Sequence, residues 1–136
     1  MAKLYMKTEK NIEFYNACEK VRREADGYMS TKCIAAMAEN TECSSFFLSE
    51  YYIKRLIWEI NTDRHKQSKF QHIRDKHNEI YNRYKILLSI EGEKPLSWYA
   101  RQISRQRAPR FFIDKDYAAI LYYKLMNEKI WKGYER

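Results

Sequence analysis

Apolar residues recur along the chain at intervals of three and four, the spacing that places side chains on one face of an α-helix. The pattern is longest in a segment that we call the seam, whose apolar positions are Phe70, Ile73, His77, Ile80, Tyr84 and Leu87. No segment alternates apolar and polar residues in the way a β-strand requires. Because six segments show the helical spacing, we predict an all-α protein with about six helices and no sheet.

Residues suited to helix boundaries flank these segments. Short polar side chains can accept hydrogen bonds from the free amides of a first turn, and proline is tolerated there. We expect four helices to start beside the following residues: Ser30, Ser49, Pro95 and Asp114. Gly92 is expected to close the seam helix.

Two stretches occur twice, in the same order. The Glu-Phe-Tyr-Asn of residues 13–16 returns as Glu-Ile-Tyr-Asn at 79–82, an offset of 66. The stretch at 46–52 returns at 111–117 with an offset of 65, and each copy carries a Phe-Phe pair ahead of a helix cap. Similar offsets for two separate stretches indicate an internal duplication.

The duplication predicts the organisation of the domain. The repeats span about residues 9–62 and 76–132, and each contains three predicted helices. We therefore expect two tandem three-helix units with internal pseudo-symmetry inside a single domain, residues 1–136. A chain of this length can bury its own core without disulfides or metals.

The second copy also carries a resemblance. Its residues 108–114 read Ala-Pro-Arg-Phe-Phe-Ile-Asp. This stretch resembles one found in small basic helical proteins of phages and mobile elements of gut bacteria. The resemblance implies a setting in mobile DNA, but it implies neither an activity nor site residues.

Charge is distributed unevenly along the chain. The net charge is +8; residues 1–62 hold nine Lys and Arg against nine Asp and Glu, whereas residues 63–136 hold seventeen against nine. The whole excess therefore belongs to the second half, which predicts an acidic partner for it. A basic excess that only keeps the protein in solution is the alternative.

The candidate nucleic-acid site follows from this excess. Residues 94–113 contain no acidic residue. Arginine pairs two N–H groups with phosphate oxygens, and glutamine can bind the edge of adenine in a major groove. We predict that the following residues bind nucleic acid: Lys94, Arg101, Gln102, Arg105, Gln106, Arg107 and Arg110. A solvated charged face is the alternative.

A second basic group surrounds the start of the seam: Arg64, His65, Lys66, Lys69, Arg74 and Lys76. These side chains are candidates for further phosphate contacts. About seven residues separate the two predicted helices on either side of Arg110, against the three or four of a helix-turn-helix. A standard helix-turn-helix is therefore not predicted.

The sequence offers little for catalysis or metal binding. It lacks a phosphate-binding glycine loop, a Gly-x-Ser-x-Gly elbow and a His-Glu-x-x-His motif. Its three histidines and three cysteines lack the spacing of a metal site. We predict a protein that is not an enzyme, uses no cofactor and does not enter membranes, and we expect reduced thiols in the cytoplasm, the host cell's if the protein is phage-encoded.

Together these features favour a non-enzymatic nucleic-acid-binding protein of a phage or mobile element, with DNA favoured over RNA. The chain holds twelve tyrosines and three tryptophans, more than one core can bury, so we also expect a homo-oligomer. The alternative function is a structural, virion-type assembly or adaptor protein that acts through protein–protein contacts.

Overall fold

The computed structural model describes residues 7–128, which form six α-helices. In chain order the helices are α1 (Lys7–Glu24), α2 (Thr31–Glu39), α3 (Glu50–Asn61), α4 (Gln71–Glu91), α5 (Leu96–Ser104) and α6 (Lys115–Asn127). Among these residues there is no strand, and the sheet-like pairing is one isolated bridge between Cys43 and Ala108. The predicted all-α class is confirmed. The end of the second predicted repeat, residues 129–132, lies outside the described residues.

Helix boundaries follow the residues expected to set them. The side-chain oxygens of Ser30, Ser49 and Asp114 each accept a hydrogen bond from the backbone N–H three residues later. Pro95 precedes α5, and Gly92 ends α4 with a φ of 72°. Local sequence therefore determines where the helices begin and end.

The helices pack in two compact units that differ from the predicted tandem grouping. Residues 44–107 form one unit, in which α3 packs against α4 and α5. In the other unit, residues 7–43 and 108–128, α6 packs against α1 and α2. Helix α3, the third helix of the first repeat, thus packs with α4 and α5 of the second repeat. Helix α6, the third helix of the second repeat, packs with α1 and α2 of the first. The pseudo-symmetry of whole repeats stays a prediction.

The α3–α5 unit has a core drawn from all three of its helices and from the Phe-Phe pair before α3. Its buried apolar residues are Phe46, Phe47, Ile53, Leu56, Ile57, Ile80, Tyr84, Tyr99, Ala100 and Ile103. The Tyr84 and Tyr99 rings meet edge to face with centroids 5.1 Å apart, and the Tyr99 hydroxyl donates to the Gly92 carbonyl. The seam is buried only in its middle, because Phe70 precedes the first turn of α4 and is half exposed.

The α1–α2–α6 unit is closed by the second Phe-Phe pair. The Phe111 ring meets Phe14 of α1 edge to face, with centroids 5.4 Å apart. The Phe111 N–H donates to the Glu39 carbonyl at 3.0 Å, and the Phe112 N–H donates to the Glu39 carboxylate at 3.1 Å. The C-terminal end of α2 therefore holds the chain that leads into α6.

The second phenylalanine of each pair has a left-handed backbone. Phe47 has a φ of 57° and Phe112 a φ of 56°, although non-glycine residues seldom adopt positive φ. Such a conformation costs about 1–2 kcal/mol, which burial of the aromatic ring offsets. Each is followed two residues later by a helix cap, so the repeated stretch has the same local geometry in both copies.

Candidate nucleic-acid interface

Positive charge is concentrated in the α3–α5 unit. Residues 44–107 contain thirteen Lys and Arg against seven Asp and Glu, a net charge of +6. Residues 7–43 and 108–128 contain nine against ten, a net charge of −1. An acidic partner would therefore be attracted to the α3–α5 unit.

Helix α5 carries Arg101 opposite its apolar face, and a second arginine, Arg105, follows its last residue. Its buried side chains are Tyr99, Ala100 and Ile103, as the spacing predicts. Arg101 is exposed on the other side, and Gln102 is partly buried. The helix ends at Ser104, so Arg105 is the C-cap; its side chain is exposed.

Arg101 has a weak carboxylate partner. Its Nε lies 3.7 Å from Oε2 of Glu50, the first residue of α3, and both side chains are about half exposed, at 52% and 49%. An ion pair as exposed as this contributes at most about 1 kcal/mol, because water screens it. A phosphate can displace Glu50 at little cost.

The residues after α5 are held in place by Arg83 of α4. The Arg83 Nη1 donates to the side-chain oxygen of Gln106 at 3.1 Å and to the Arg107 carbonyl at 2.6 Å. Gln106 is thus partly committed to an internal contact, whereas the Arg107 side chain is exposed. Before α5, the Lys94 ammonium lies 5.4 Å above the Trp98 ring and remains exposed.

Arg110 has a structural role. It lies in the α1–α2–α6 unit, where its Nε donates to the Glu39 carboxylate at 2.8 Å. The Glu39 side chain is only 7% exposed, so this carboxylate needs the arginine charge. Sequence alone could not separate Arg110 from its basic neighbours, and we leave it out of the proposed interface.

The second basic group is divided by the fold. Arg64, His65 and Lys66 line a cleft of about 810 Å³ together with α3 and His77 of α4. Arg74 is held instead by the Ser68 carbonyl, to which its Nη1 donates at 2.8 Å. Three members of the group, Arg64, His65 and Lys66, therefore belong to the cleft, whereas Lys69 lies over the Phe70 ring.

Helix α3 supplies cleft residues that the sequence analysis missed. Tyr52, Arg55 and Glu59 lie on one stripe of the helix at spacings of three and four. This polar stripe is the signal that was available in the sequence. Nothing in it indicates that the stripe meets His77, which lies 25 residues beyond Tyr52.

In this cleft Tyr52 contacts His77, and His77 contacts His65. The Tyr52 hydroxyl and His77 Nε2 are 3.0 Å apart, and the His65 and His77 rings meet edge to face with centroids 5.3 Å apart. Burial, with smaller contributions from His65 and Lys76, lowers the pKa of His77 to about 4. His77 is therefore neutral near pH 7, with its Nε2 hydrogen-bonded to the Tyr52 hydroxyl.

Comparisons with known proteins give no relative from which the role of the site could be inferred. Searches against protein-family models, curated proteins and solved structures found no match for this chain.

Within residues 7–128, no helix combines the length and the apolar character needed to cross a bilayer. The same residues contain no group of three or more His, Cys, Asp or Glu side chains able to hold a metal ion.

Proposed function

We propose that the α3–α5 unit binds nucleic acid through a basic face around α5. The following side chains would contact phosphates: Lys94, Arg101, Arg105 and Arg107. The observation that carries the proposal is the charge of the unit, +6 over residues 44–107 from thirteen Lys and Arg against seven Asp and Glu. Clustered cations on one unit are the electrostatic footprint of a nucleic-acid-binding surface.

The rigidity of this face supports phosphate contact. Arg101 and Arg105 lie at the C-terminal end of a helix whose other side is packed in the core, and the hydrogen bonds from Arg83 hold the next turn. Guanidinium groups on a fixed backbone lose less entropy when they bind phosphate. Gln102 lies beside the arginines and is the candidate for a base contact, which favours DNA with its readable major groove.

Binding to fluorescently labelled duplex DNA, measured at several salt concentrations, tests the proposal. Each phosphate contact releases counterions, so the affinity of the wild-type protein should fall steeply as salt rises. Changing Lys94, Arg101, Arg105 and Arg107 together to alanine should reduce the slope of log K against log salt by about 3 to 4.

The matched control changes four exposed cations of the other unit to alanine: Lys20, Arg23, Lys32 and Lys115. It removes the same charge but should keep most of the affinity and the salt slope. The proposal fails if the two quadruple variants lose affinity equally, or if wild-type protein retains no DNA at low salt.

The proposal includes a cytoplasmic setting. All three cysteines, Cys18, Cys33 and Cys43, are free thiols, as is usual where the compartment is reducing. Origin in a phage or mobile element stays a prediction that rests on the resemblance of residues 108–114.

Self-association is the second proposed function, and a specific surface of α6 favours it. Tyr117, Ile120 and Tyr123 are 46%, 62% and 63% exposed, and their spacing of three places them close together on the helix. Exposed aromatic and aliphatic side chains of this kind are enriched at subunit interfaces. A homo-oligomer built on this surface would suit an assembly or adaptor protein.

Sedimentation equilibrium tests this second function. Wild-type protein should form a defined oligomer, and changing Ile120 and Tyr123 together to glutamate should shift it to monomer. Changing Ile86 and Ile90 of α4, which are also exposed, is the matched control and should leave the oligomer intact. A wild-type protein that stays monomeric at every concentration would exclude the α6 interface.

A further inference from the structure

The cleft beside α3 combines a cationic rim with an aromatic and histidine wall. Its volume of about 810 Å³ lies within the range of small-ligand sites. Arg55, Arg64 and Lys66 contribute three positive charges, against the single carboxylate of Glu59. Glu59 already accepts a hydrogen bond from Arg55 at 3.3 Å, so the negative charge in the cleft is partly neutralised. The surplus of cations favours an anionic ligand.

The three cationic side chains of the cleft differ in how firmly they are held. The Arg64 guanidinium lies 4.9 Å from the centre of the Trp58 ring, a cation–π contact that limits its rotation. Lys66 is exposed in the irregular segment between α3 and α4. The Arg55 side chain is 64% exposed beside them. Together these side chains offer fixed and movable donors for the oxygens of one phosphate group.

The wall of the cleft has an unmet hydrogen bond. His77 is 92% buried, since its relative exposure is 8%, and its Nδ1 has no partner among the described residues. Its other ring nitrogen is paired with the Tyr52 hydroxyl. A buried polar atom without a hydrogen-bond partner is costly and calls for an explanation such as a bound water or a ligand. This independent observation points to the same cleft.

An aromatic side chain stands at the edge of the cleft. Tyr51 lines it and is 72% exposed, which leaves one of its faces open for stacking with a flat ring. Bases of unpaired strands stack on such side chains, whereas bases inside a duplex are already stacked on each other. A phosphate site next to an open tyrosine therefore matches a nucleotide whose base is unpaired.

We propose that this cleft binds one nucleotide of an unpaired strand, with its phosphate on Arg55, Arg64 and Lys66 and its base on Tyr51. The cleft adjoins the basic face of α5, because Arg101 contacts Glu50, which lies between two residues that line the cleft. The inference rests on the proposed function and adds to it the kind of strand that is bound, a single-stranded segment or end.

Two variants with exposed side chains test the cleft without touching the core: Arg64→Ala with Lys66→Ala, and Tyr51→Ala. The probe is a fluorescently labelled thymidine oligonucleotide, compared with a blunt duplex. We expect each variant to lose about tenfold or more in affinity for the single strand and to change much less for the duplex. Lys20→Ala with Arg23→Ala is the control, and circular dichroism establishes that every variant is folded.

The outcomes separate this inference from the proposed function. If the cleft variants bind the single strand as wild type does while the α5 quadruple variant loses duplex binding, the cleft proposal is wrong and the α5 interface stands. If wild-type protein binds neither probe, both proposals fail. If the cleft variants alone lose the single strand, the cleft is its site.

Competition with thymidine monophosphate identifies the source of the phosphate. Displacement of the oligonucleotide by the monophosphate but not by thymidine would show that the phosphate site accepts a free nucleotide as well as a strand. Displacement by a longer oligonucleotide only would assign the cleft to a strand. Equal displacement by thymidine would contradict a phosphate site.

Discussion

Glu39 and Arg110, 71 residues apart in the chain, form an ion pair in which Arg110 Nε lies 2.8 Å from Glu39 Oε2. The same carboxylate accepts the N–H of Phe112, whose φ is positive. One buried side chain thus fixes both the position and the backbone conformation of the segment that leads into α6. It is a buried polar anchor of the α1–α2–α6 unit.

Changing Glu39 to glutamine should therefore destabilise the protein. The variant leaves the arginine without its counter-charge, and since Arg110 is partly exposed the free energy of unfolding should fall by about 2–3 kcal/mol. Urea unfolding measures the difference. Glu24→Gln, at an exposed position, is the control. A Glu39→Gln protein as stable as this control would show that the ion pair is not an anchor.

His77 predicts a specific dependence of stability on pH. Its pKa is about 4 in the fold against the usual 6.5, so between these values the unfolded chain binds the proton and the folded protein does not. The free energy of unfolding should therefore rise with pH from about 4 to about 6.5, with His77 contributing on the order of 2 kcal/mol.

His77→Gln isolates this contribution, because glutamine can keep a hydrogen bond to Tyr52 but does not titrate in this range. Unfolding by urea at pH 4.5 and pH 7 should give a smaller difference for the variant than for wild type. An unchanged pH dependence would assign the effect to other groups.

Tyr122 and Tyr123 are adjacent but differ in environment, which makes them a matched pair. The Tyr122 hydroxyl is buried and donates to Glu19 Oε2 at 2.6 Å, and burial together with this carboxylate raises the pKa of Tyr122 above its usual value. Tyr122→Phe should lower the free energy of unfolding by about 1–2 kcal/mol. Tyr123→Phe, at a position 63% exposed, should change it by less than about 0.5 kcal/mol. Similar effects of both would contradict the hydrogen bond.

The cysteines should differ in their reaction with a thiol reagent. Cys33 is exposed, whereas Cys18 and Cys43 are buried, and burial raises the pKa of the Cys18 thiol. Thiolate is the reactive form, so one thiol should react quickly in the native protein and three after unfolding. Rapid reaction of all three without denaturant would show that the core of the α1–α2–α6 unit, which holds Cys18 and Cys43, opens readily.

The helices could be predicted from the sequence because their signals are local. Ser30, Ser49 and Asp114 accept from first-turn amides, and Tyr99 and Ile103 face the core where the spacing of α5 places them. The grouping of the helices could not be predicted. Helices α3 and α6 follow nearly the same Phe-Phe entry and cap, so periodicity gives the buried face of each helix but not the helices it packs against.

The candidate site was only partly predictable, because it too depends on contacts between residues far apart in the sequence. Arg105 and Arg110 look alike in a basic stretch, yet one is exposed and the other is bound to a buried carboxylate far away in the sequence. The cleft joins α3 to His77 of α4 across an irregular segment, and composition carries no information on that contact. Contacts between distant residues decide which cations are free to bind a ligand.

Because α3 and α6 each pack with helices of the other repeat, the two units should fold in a fixed order during translation. Residues 44–107 are continuous, so the basic unit can form its core as soon as α5 has emerged. Helices α1 and α2 are made before this unit, but they lack their packing partner until α6 is synthesised. This earlier pair of helices is therefore the later one to fold, and its apolar faces are the surface that a chaperone would meet during translation.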